Sequence, residues 1–524
     1  MAGRLQLATK GTQDIFFTEN PEYTHFIKNF RKHTNFAKYE VKHDLDGNLE
    51  YGSTLRCTIP NNCGDLIKNV SVQFELPHLT FGTTSPVTYT YIESIGHVLI
   101  EYVDLIIGGQ VIQRVPADWL QIHSENYITQ TKQTNLSKLI GKCPDELSGT
   151  NVSSVNIEGY LGNATTPRKC IVDIPFYFYN NSELALPLCA LTKQECEIEI
   201  KLNNRENCIT DLPTHASPNN TTFNVVESGT TQYIIDDIVH PTLTLIKGNT
   251  YNFTYNKTGH PFALRETDGV TPYTNGLSSA TDPASFTVPL DAPDTLEYYC
   301  TQHPSSMRGT INLISPGIYV VGINSMSLQT EMVQLGDPER VKYQSEQVNH
   351  IITQLQVSRD TIPANTNPFK HRTEFINPVK ELFFVIKRVS VSNPFDYDHP
   401  SQILNDEYIS YENLRSLEMT LDGETVLNEN TGKFINLRAV QSGIHHSRTQ
   451  LFRRFYSYSF ALEPERWYPT GQRNFSMINN QNFKFDLNTL SEDRELRVYA
   501  LSNNILEFKD GVAKLRFNSG KIGN

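Results

Sequence analysis

Cysteine is scarce in this chain, eight residues in 524 with no Cys-x2-Cys pair, which excludes a disulfide framework and fits folding in a reducing compartment. Charge is scarce too. Only 19% of residues are charged, and 45 Lys and Arg are outnumbered by 57 Asp and Glu, for a net −12. Such an acidic chain offers no broad face to nucleic-acid phosphates, so direct nucleic-acid binding is not expected. The longest apolar stretch, around HVLIEYVDLII, is broken by Glu101 and Asp104, and the opening MAGRLQLATKGTQDIFF lacks the apolar core of a secretory signal. A soluble protein made in the cytosol is the expectation. Long amphipathic helical patterns are missing, as are a G-x-S-x-G elbow, a P-loop and an H-E-x-x-H motif, so no enzyme is expected.

What remains is a well-cored β composition, with 38% hydrophobic residues and 25 Tyr and 27 Phe among many Val, Ile and Thr. Short alternating segments punctuated by Gly, Pro, Asn and Asp run along almost the whole length, the pattern of a sandwich or barrel. Five segments of the N-terminal part match five of the C-terminal part in the same order. IKNVSVQF (67–74) matches VKELFFVI (379–386). Val103, Leu105 and Ile107 alternate into Gly108-Gly109, as Leu417, Met419 and Leu421 do into Asp422-Gly423, and both pairs suit a type I′ hairpin turn. IPFYFY (174–179) matches YSYSFAL (456–462), ECEIEIKL (195–202) matches NFKFDL (482–487), and GIYVVGIN (317–324) matches ELRVYALS (495–502). The last two elements lie about eight residues apart in the second half and more than a hundred apart in the first, which marks an insertion after Leu202. Loop closure costs only about 0.6 kcal/mol per doubling of length, so a compact insert with neighbouring ends is tolerated. The expected fold is all-β, two consecutive eight-stranded jelly rolls; two unrelated β domains of similar strand pattern are the rival.

The segments LQLATKGTQDIFFTENPEYTHFIKNFRKHTNFA, GDLIKNVSVQFELP, LALPLCALTKQECEIEIKL, VKYQSEQVNHIITQLQ, NPVKELFFVIK, YSYSFALEPERWYPTGQRNFSMINN and RVYALSNNIL together resemble the major capsid proteins of nucleocytoplasmic large DNA viruses. The likeness covers everything except about residues 205–315. It implies a double jelly roll, a homotrimer closed into a pseudo-hexagonal capsomer, and capsomers tiling an icosahedral shell. Neighbouring capsomers, minor capsid proteins and penton proteins would be partners, no cofactor would be required, and the protein would reside in the virion after assembly in the host cytoplasm. The expected division is an N-terminal arm over 1–25, jelly roll 1 over 26–232 and 315–338, an inserted domain over 233–314, and jelly roll 2 over 339–524. The arm, with Phe16, Phe17 and Tyr23 among polar residues, would lie beneath the capsomer.

The insert has strand patterns of its own. HPTLTLIKGNTYNFTYN supplies two strands around Lys247-Gly248, and ASFTVPLDAPDTLEYYC another after a Pro-rich bend. TGHPFAL and TQHPSSMRGTINLI then give the ordered set His260, Cys300, His303 and Met307. A thiolate and two imidazoles hold copper in a plane with a weak thioether on the axis, and binding requires deprotonated ligands, so it weakens at low pH. Over roughly eighty residues the segment resembles the cupredoxin family, which implies a cupredoxin-like β-sandwich in a late loop of the first jelly roll and copper as its metal. Zinc is one rival. No metal is another, with Cys300 a small buried hydrophobe and Met307 a gap filler. A copper-binding electron-transfer or copper-storage protein is the alternative for the whole chain, and a carbohydrate-binding adhesin a third. Loop inserts must not obstruct lateral contacts, so display on the outer surface, toward a host cell surface, is expected. Asp44-Leu-Asp46-Gly-Asn48 lacks the last carboxylate of a calcium loop and reads as a polar turn, while His445-His446 reads as structural or intersubunit.

Overall fold

Two tight turns fix the strands around them. Gly108 and Gly109 hold φ of 57° and 78°, Asp422 and Gly423 hold 48° and 88°, and these are the left-handed pairs that a type I′ hairpin requires. The computed structural model describes residues 2–28, 32–77, 88–142, 168–212, 222–228, 232–236, 238–247, 250–256, 259–289, 291–314, 322–391, 393–400, 403–404, 409–447 and 454–517. Roll 1 comprises β1 (Phe36–His43), β2 (Thr54–Ile59), β3 (Leu66–Leu76), β4 (Ile100–Ile107), β5 (Gln110–Pro116), β6 (Arg168–Asp173) and β7 (Cys196–Leu202). The insert follows with β8 (Thr222–Ser228), β9 (Gln232–Ile235), β10 (Leu243–Ile246), β11 (Thr250–Asn256), β12 (Phe262–Glu266), β13 (Ser285–Thr287), β14 (Thr295–Cys300) and β15 (Arg308–Ile314). Roll 1 then closes with β16 (Ser325–Leu335). Roll 2 contains β17 (Val348–Ile362), β18 (Phe369–Thr373), β19 (Pro378–Arg388), β20 (Leu414–Leu421), β21 (Glu424–Leu427), β22 (Tyr456–Ser459), β23 (Gln481–Leu487) and β24 (Arg494–Lys509).

The sheets of roll 1 are ordered β1–β16–β3–β6 and β2–β7–β4–β5; those of roll 2 are β17–β24–β19–β22 and β18–β23–β20–β21. The two orders are identical strand for strand, which makes each half an eight-stranded jelly roll and removes the rival of unrelated domains. Antiparallel ladders send successive connections to alternate ends. Gly52 N donates to Asn203 O (3.0 Å) and Asn203 N to Leu99 O (2.8 Å), so the β1–β2, β3–β4 and β7–β16 connections share one end, and the insert leaves from it. Gly108 N to Glu195 O (3.0 Å) and Cys189 N to Asp65 O (3.1 Å) gather the other connections at the far end. There β1 begins, so the N-terminal arm emerges opposite the insert. Lys193 N donates to Gly511 O (3.1 Å) beyond β24, tying the far ends of the two rolls together, side by side and the same way up.

Roll 2's sheet β17–β24–β19–β22 is buried on both faces. Leu382 and Phe384 point into roll 2's own core, while Phe383, Val385, Tyr499 and Leu501 join the core of roll 1. Hence VKELFFVI is buried at every position, with an unbroken apolar run over 382–386, whereas IKNVSVQF alternates because Asn69, Ser71 and Gln73 are only half-buried. Helix α3 (Ala117–Asn126) carries the seam between rolls: Trp119 meets Phe383 edge-on at 5.4 Å, and Asp118 accepts from Arg497, from Tyr499 Oη (2.6 Å) and from Tyr397 Oη (3.0 Å). Burial alone would raise the Asp118 carboxyl, but Arg497 and the Tyr499 hydroxyl outweigh it and hold it below the usual carboxylate range.

Several expectations are corrected. IPFYFY forms no strand; Phe176, Tyr177 and Phe178 are buried in the core without joining a sheet, and β6, just upstream, pairs with β3 as β22 pairs with β19. Of GIYVVGIN, residues 317–321 lie outside the described residues, and the strand in β24's place is β16, which starts at Ser325. Helices α3 and α4 (Gln130–Ile140) were not foreseen, because α3 buries Gln121, Ser124, Glu125 and Asn126 and so shows no apolar stripe. The insert's sheet begins at β8, upstream of residue 233: one sheet is ordered β9–β8–β11–β13, the other β10–β15–β14–β12, and they enclose a core made only of insert residues. The arm forms two short helices, α1 (Ala2–Ala8) and α2 (Thr12–Thr18), with Leu5, Leu7, Phe16 and Phe17 exposed.

Candidate metal centre

β12 and β14 lie side by side with Phe262 opposite Cys300, which sets His260, two residues before β12 starts, next to the Cys300 thiol. The loop after Cys300 turns back on itself: Met307 N and Ser306 N donate to His303 O (3.1 and 3.3 Å), and Cys300 N donates to Met307 O (2.9 Å). That hairpin returns His303 to the same point. His260 Nδ1 and His303 Nδ1 are 3.1 Å apart, and Cys300 Sγ lies 3.7 Å from the first and 3.8 Å from the second. From the opposite sheet, Tyr233 Oη donates to His260 O (2.9 Å) and steadies the imidazole's backbone. Burial first, and then contact with the Cys300 thiol, push the Tyr233 phenol far above its ordinary range. Cys300 and Met307 are fully buried and belong to the insert's core, while both imidazoles are half-buried.

The triangle decides whether an ion fits. Edges of 3.1, 3.7 and 3.8 Å enclose about 5.3 Å², and their product divided by four times that area puts the equidistant point about 2.1 Å from all three atoms, against metal bonds of roughly 2.0–2.1 Å to imidazole nitrogen and 2.3 Å to thiolate sulfur. Residues 40 and 3 apart in sequence have thus been brought to bonding radius. Among the described residues this is the only such group of three or more His, Cys, Asp or Glu side chains. The structure gathers His260, Cys300 and His303 and buries Met307 in the core beside them. Tyr233 gave no signal in the sequence, where it reads as an ordinary strand aromatic.

Other flagged residues have structural work. His446, fully buried, donates through Nε2 to Glu381 Oε1 (2.6 Å) and lies 3.3 Å through Nδ1 from Glu465 Oε1. Burial would lower it, but the two carboxylates outweigh that and push it up to about 9. Asp46 bridges to Arg56 in a polar turn. Trp467 and Tyr468 form an edge-on pair at 5.5 Å, both partly exposed.

Two family models match the host and leave most of the insert between them. "Major capsid protein N-terminus" covers residues 24–236 and "Large eukaryotic DNA virus major capsid protein" covers residues 339–514. The chain belongs to this family of major capsid proteins. "Probable capsid protein 4" of Acanthamoeba polyphaga mimivirus is 25% identical, and the major capsid protein of Phaeocystis pouchetii virus 23%, each over 99% of both chains. Among solved structures, the PBCV-1 virus capsid superposes with a TM-score of 0.62 at 18% identity, covering 95% of this chain and all of that one. The Faustovirus major capsid protein gives 0.59 at 12%, covering 97% and 96%. These two establish the shared double jelly-roll fold. As a major capsid protein the chain is a virion component, and the reading of the whole molecule as a copper carrier finds no support among these relatives.

Proposed function

We propose that three copies of this major capsid protein close into a pseudo-hexagonal capsomer whose outer surface carries the insert, and that the capsomers tile an icosahedral shell. The observation that carries this is the strand-for-strand identity of the two rolls, set side by side and the same way up. Three such chains present six near-equivalent corners, so hexagonal tiling needs only one closed three-fold contact. The insert and the arm leave from opposite ends, which favours the insert outside, facing a host cell surface, and the apolar arm inside, among minor capsid proteins; penton proteins would fill the vertices. The role is structural rather than enzymatic, with assembly in the host cytoplasm. Sedimentation or light scattering of purified protein tests it: a stable particle of about three times 59.6 kDa is expected, and a monomer at all concentrations would sink the reading.

Within the insert, His260, Cys300 and His303 would hold a copper ion, with Met307 as the soft residue that favours copper over zinc. The equidistant point at bonding radius supports this. Bound copper supplies one-electron chemistry; the chain's own part is to bury the thiol, fix both imidazoles and exclude water. Residues 222–314 are accordingly a cupredoxin-like display domain, beginning eleven residues before 233.

A further inference from the structure

A buried guanidinium lies under the loop that carries His303. On β12 and β14, Phe262, Leu264, Tyr298 and Cys300 turn into the insert's core, so Arg265, Glu297 and Tyr299 belong to the outward face of that sheet. An arginine in such a place ordinarily stretches its head into water. Arg265 is instead only 5% exposed, because two loops fold over it. Its fork reaches three partners: Nε donates to Glu297 Oε2 (3.0 Å), Nη1 to Gly269 O (2.9 Å) and Nη2 to Pro304 O (3.2 Å), with the guanidinium 4.6 Å above the Tyr299 ring. Gly269 lies in the turn that leaves β12, and Pro304 follows His303 directly.

Backbone bonds fasten the base of the ligand loop. Cys300 N donates to Met307 O, Thr301 N to Pro261 O (3.1 Å) and Met307 N to His303 O. A side chain fastens its tip. Pro304 has no N–H, so its carbonyl is the one backbone group by which it can be tied, and Arg265 takes it. Resting on the copper reading above, the geometry points to Arg265 as a positioning residue of the metal centre: it holds the loop that carries His303 down onto Cys300 and His260 before an ion arrives. It touches no metal itself. Ligands drawn from two loops must otherwise be ordered at the moment of binding, and an anchored loop has already lost that freedom, so the anchor is read out in affinity. Lysine would not serve, since reaching a carboxylate and two carbonyls at once takes a planar fork.

The test uses full-length protein, first metal-free and then titrated with copper(II) against a competing chelator, with a circular dichroism melt to verify folding. Arg265→Met removes the anchor. Arg265→Lys keeps a cation for Glu297 and a stem over Tyr299 but no fork, and it decides the matter if the first variant fails to fold. Lys247→Met is the control: the Lys247 side chain is 6% accessible, as is that of Arg265, and pairs with Asp294 (2.8 Å) just before β14 starts, at the far end from Cys300. Both Arg265 variants are expected to bind copper(II) at least about tenfold more weakly than the parent, with a weaker thiolate charge-transfer band per bound ion, while the control binds as the parent does even where it melts lower. In the metal-free protein, the amides of residues 301–307 should exchange with deuterium at least about tenfold faster in the Arg265 variants and at the parental rate in the control. Parental affinity or parental exchange in a folded Arg265 variant overturns the inference, and so does a control that weakens copper equally. A parent that binds no copper overturns the metal reading instead, and the exchange rates alone then decide whether Arg265 holds the loop.

Discussion

Asp118→Asn tests the seam between the rolls. The Asp118 side chain is 2% accessible and its partner Arg497 17%, so the substitution leaves a guanidinium nearly buried and short of one carboxylate. Removing one partner of a buried pair costs about 3–5 kcal/mol. Arg497 keeps Glu495 through two bonds of 2.7 and 2.9 Å, which places the expected loss toward the lower end, about 3 kcal/mol, although Tyr397 and Tyr499 donate to different oxygens of the carboxylate and only one of them keeps an acceptor on the amide. The chain has two tryptophans, and Trp119 sits beside Asp118 against Phe383. Urea unfolding at pH 7 followed by tryptophan emission therefore reads the seam directly. The variant should bring an early transition in emission while far-UV circular dichroism still reports intact rolls. A double variant, Asp118→Leu with Arg497→Met, should recover most of the loss, because no unpaired charge remains. A single-variant loss below about 1 kcal/mol, or coincident transitions by both probes in the variant, would refute the reasoning.

Copper(II) titrated into parent protein should produce an intense thiolate charge-transfer band that Cys300→Ser abolishes and that fades as the pH drops below the imidazole range; equally colourless proteins would show a degenerate site. His446, raised in the folded state above its unfolded value of about 6.5, contributes stability fully below that pH and loses it as pH rises through about 9. Burial holds Lys380 near 8 in the same region, which tilts stability the opposite way. The quantity to measure is thus the difference in urea midpoint between parent and His446→Gln from pH 6.5 to 9.5. It should shrink steadily, and a constant difference would count against the clamp.

Strand order, hairpin turns and the insertion were legible because each rests on local chemistry: alternation for half-buried strands, Gly or Asp-Gly at left-handed positions, and a repeat broken at one place. The grouping of His260, Cys300 and His303 was legible as well, since Cys-x2-His-x3-Met carries its own spacing. What escaped depends on tertiary context. IPFYFY looks like a strand since burial selects the same apolar residues whether or not a sheet forms. Helix α3 was hidden by the polar groups it buries, Gln121 and Glu125 among them, which pair with His97 and Lys142 inside roll 1. β8 looks like host because nothing in TFNVVES says which sheet will take it. The seam itself left one readable trace, the unbroken apolar run LFFVI (382–386) against the alternation of IKNVSVQF.

The place of β16 has a consequence for synthesis. It fills the slot between β1 and β3, yet it is translated last of roll 1's strands, after the entire insert. About 130 residues separate the end of β7 from the end of β16, so at ~5–20 residues per second the ribosome needs roughly 7 to 27 seconds to deliver it. For that interval β1 and β3 stand with unsatisfied edges, the state most open to mispairing with a nascent neighbour on the same polysome. A capsid made in very large numbers would then draw heavily on chaperones, and shortening the segment between β7 and β16 should lighten that demand before it changes anything in the finished particle.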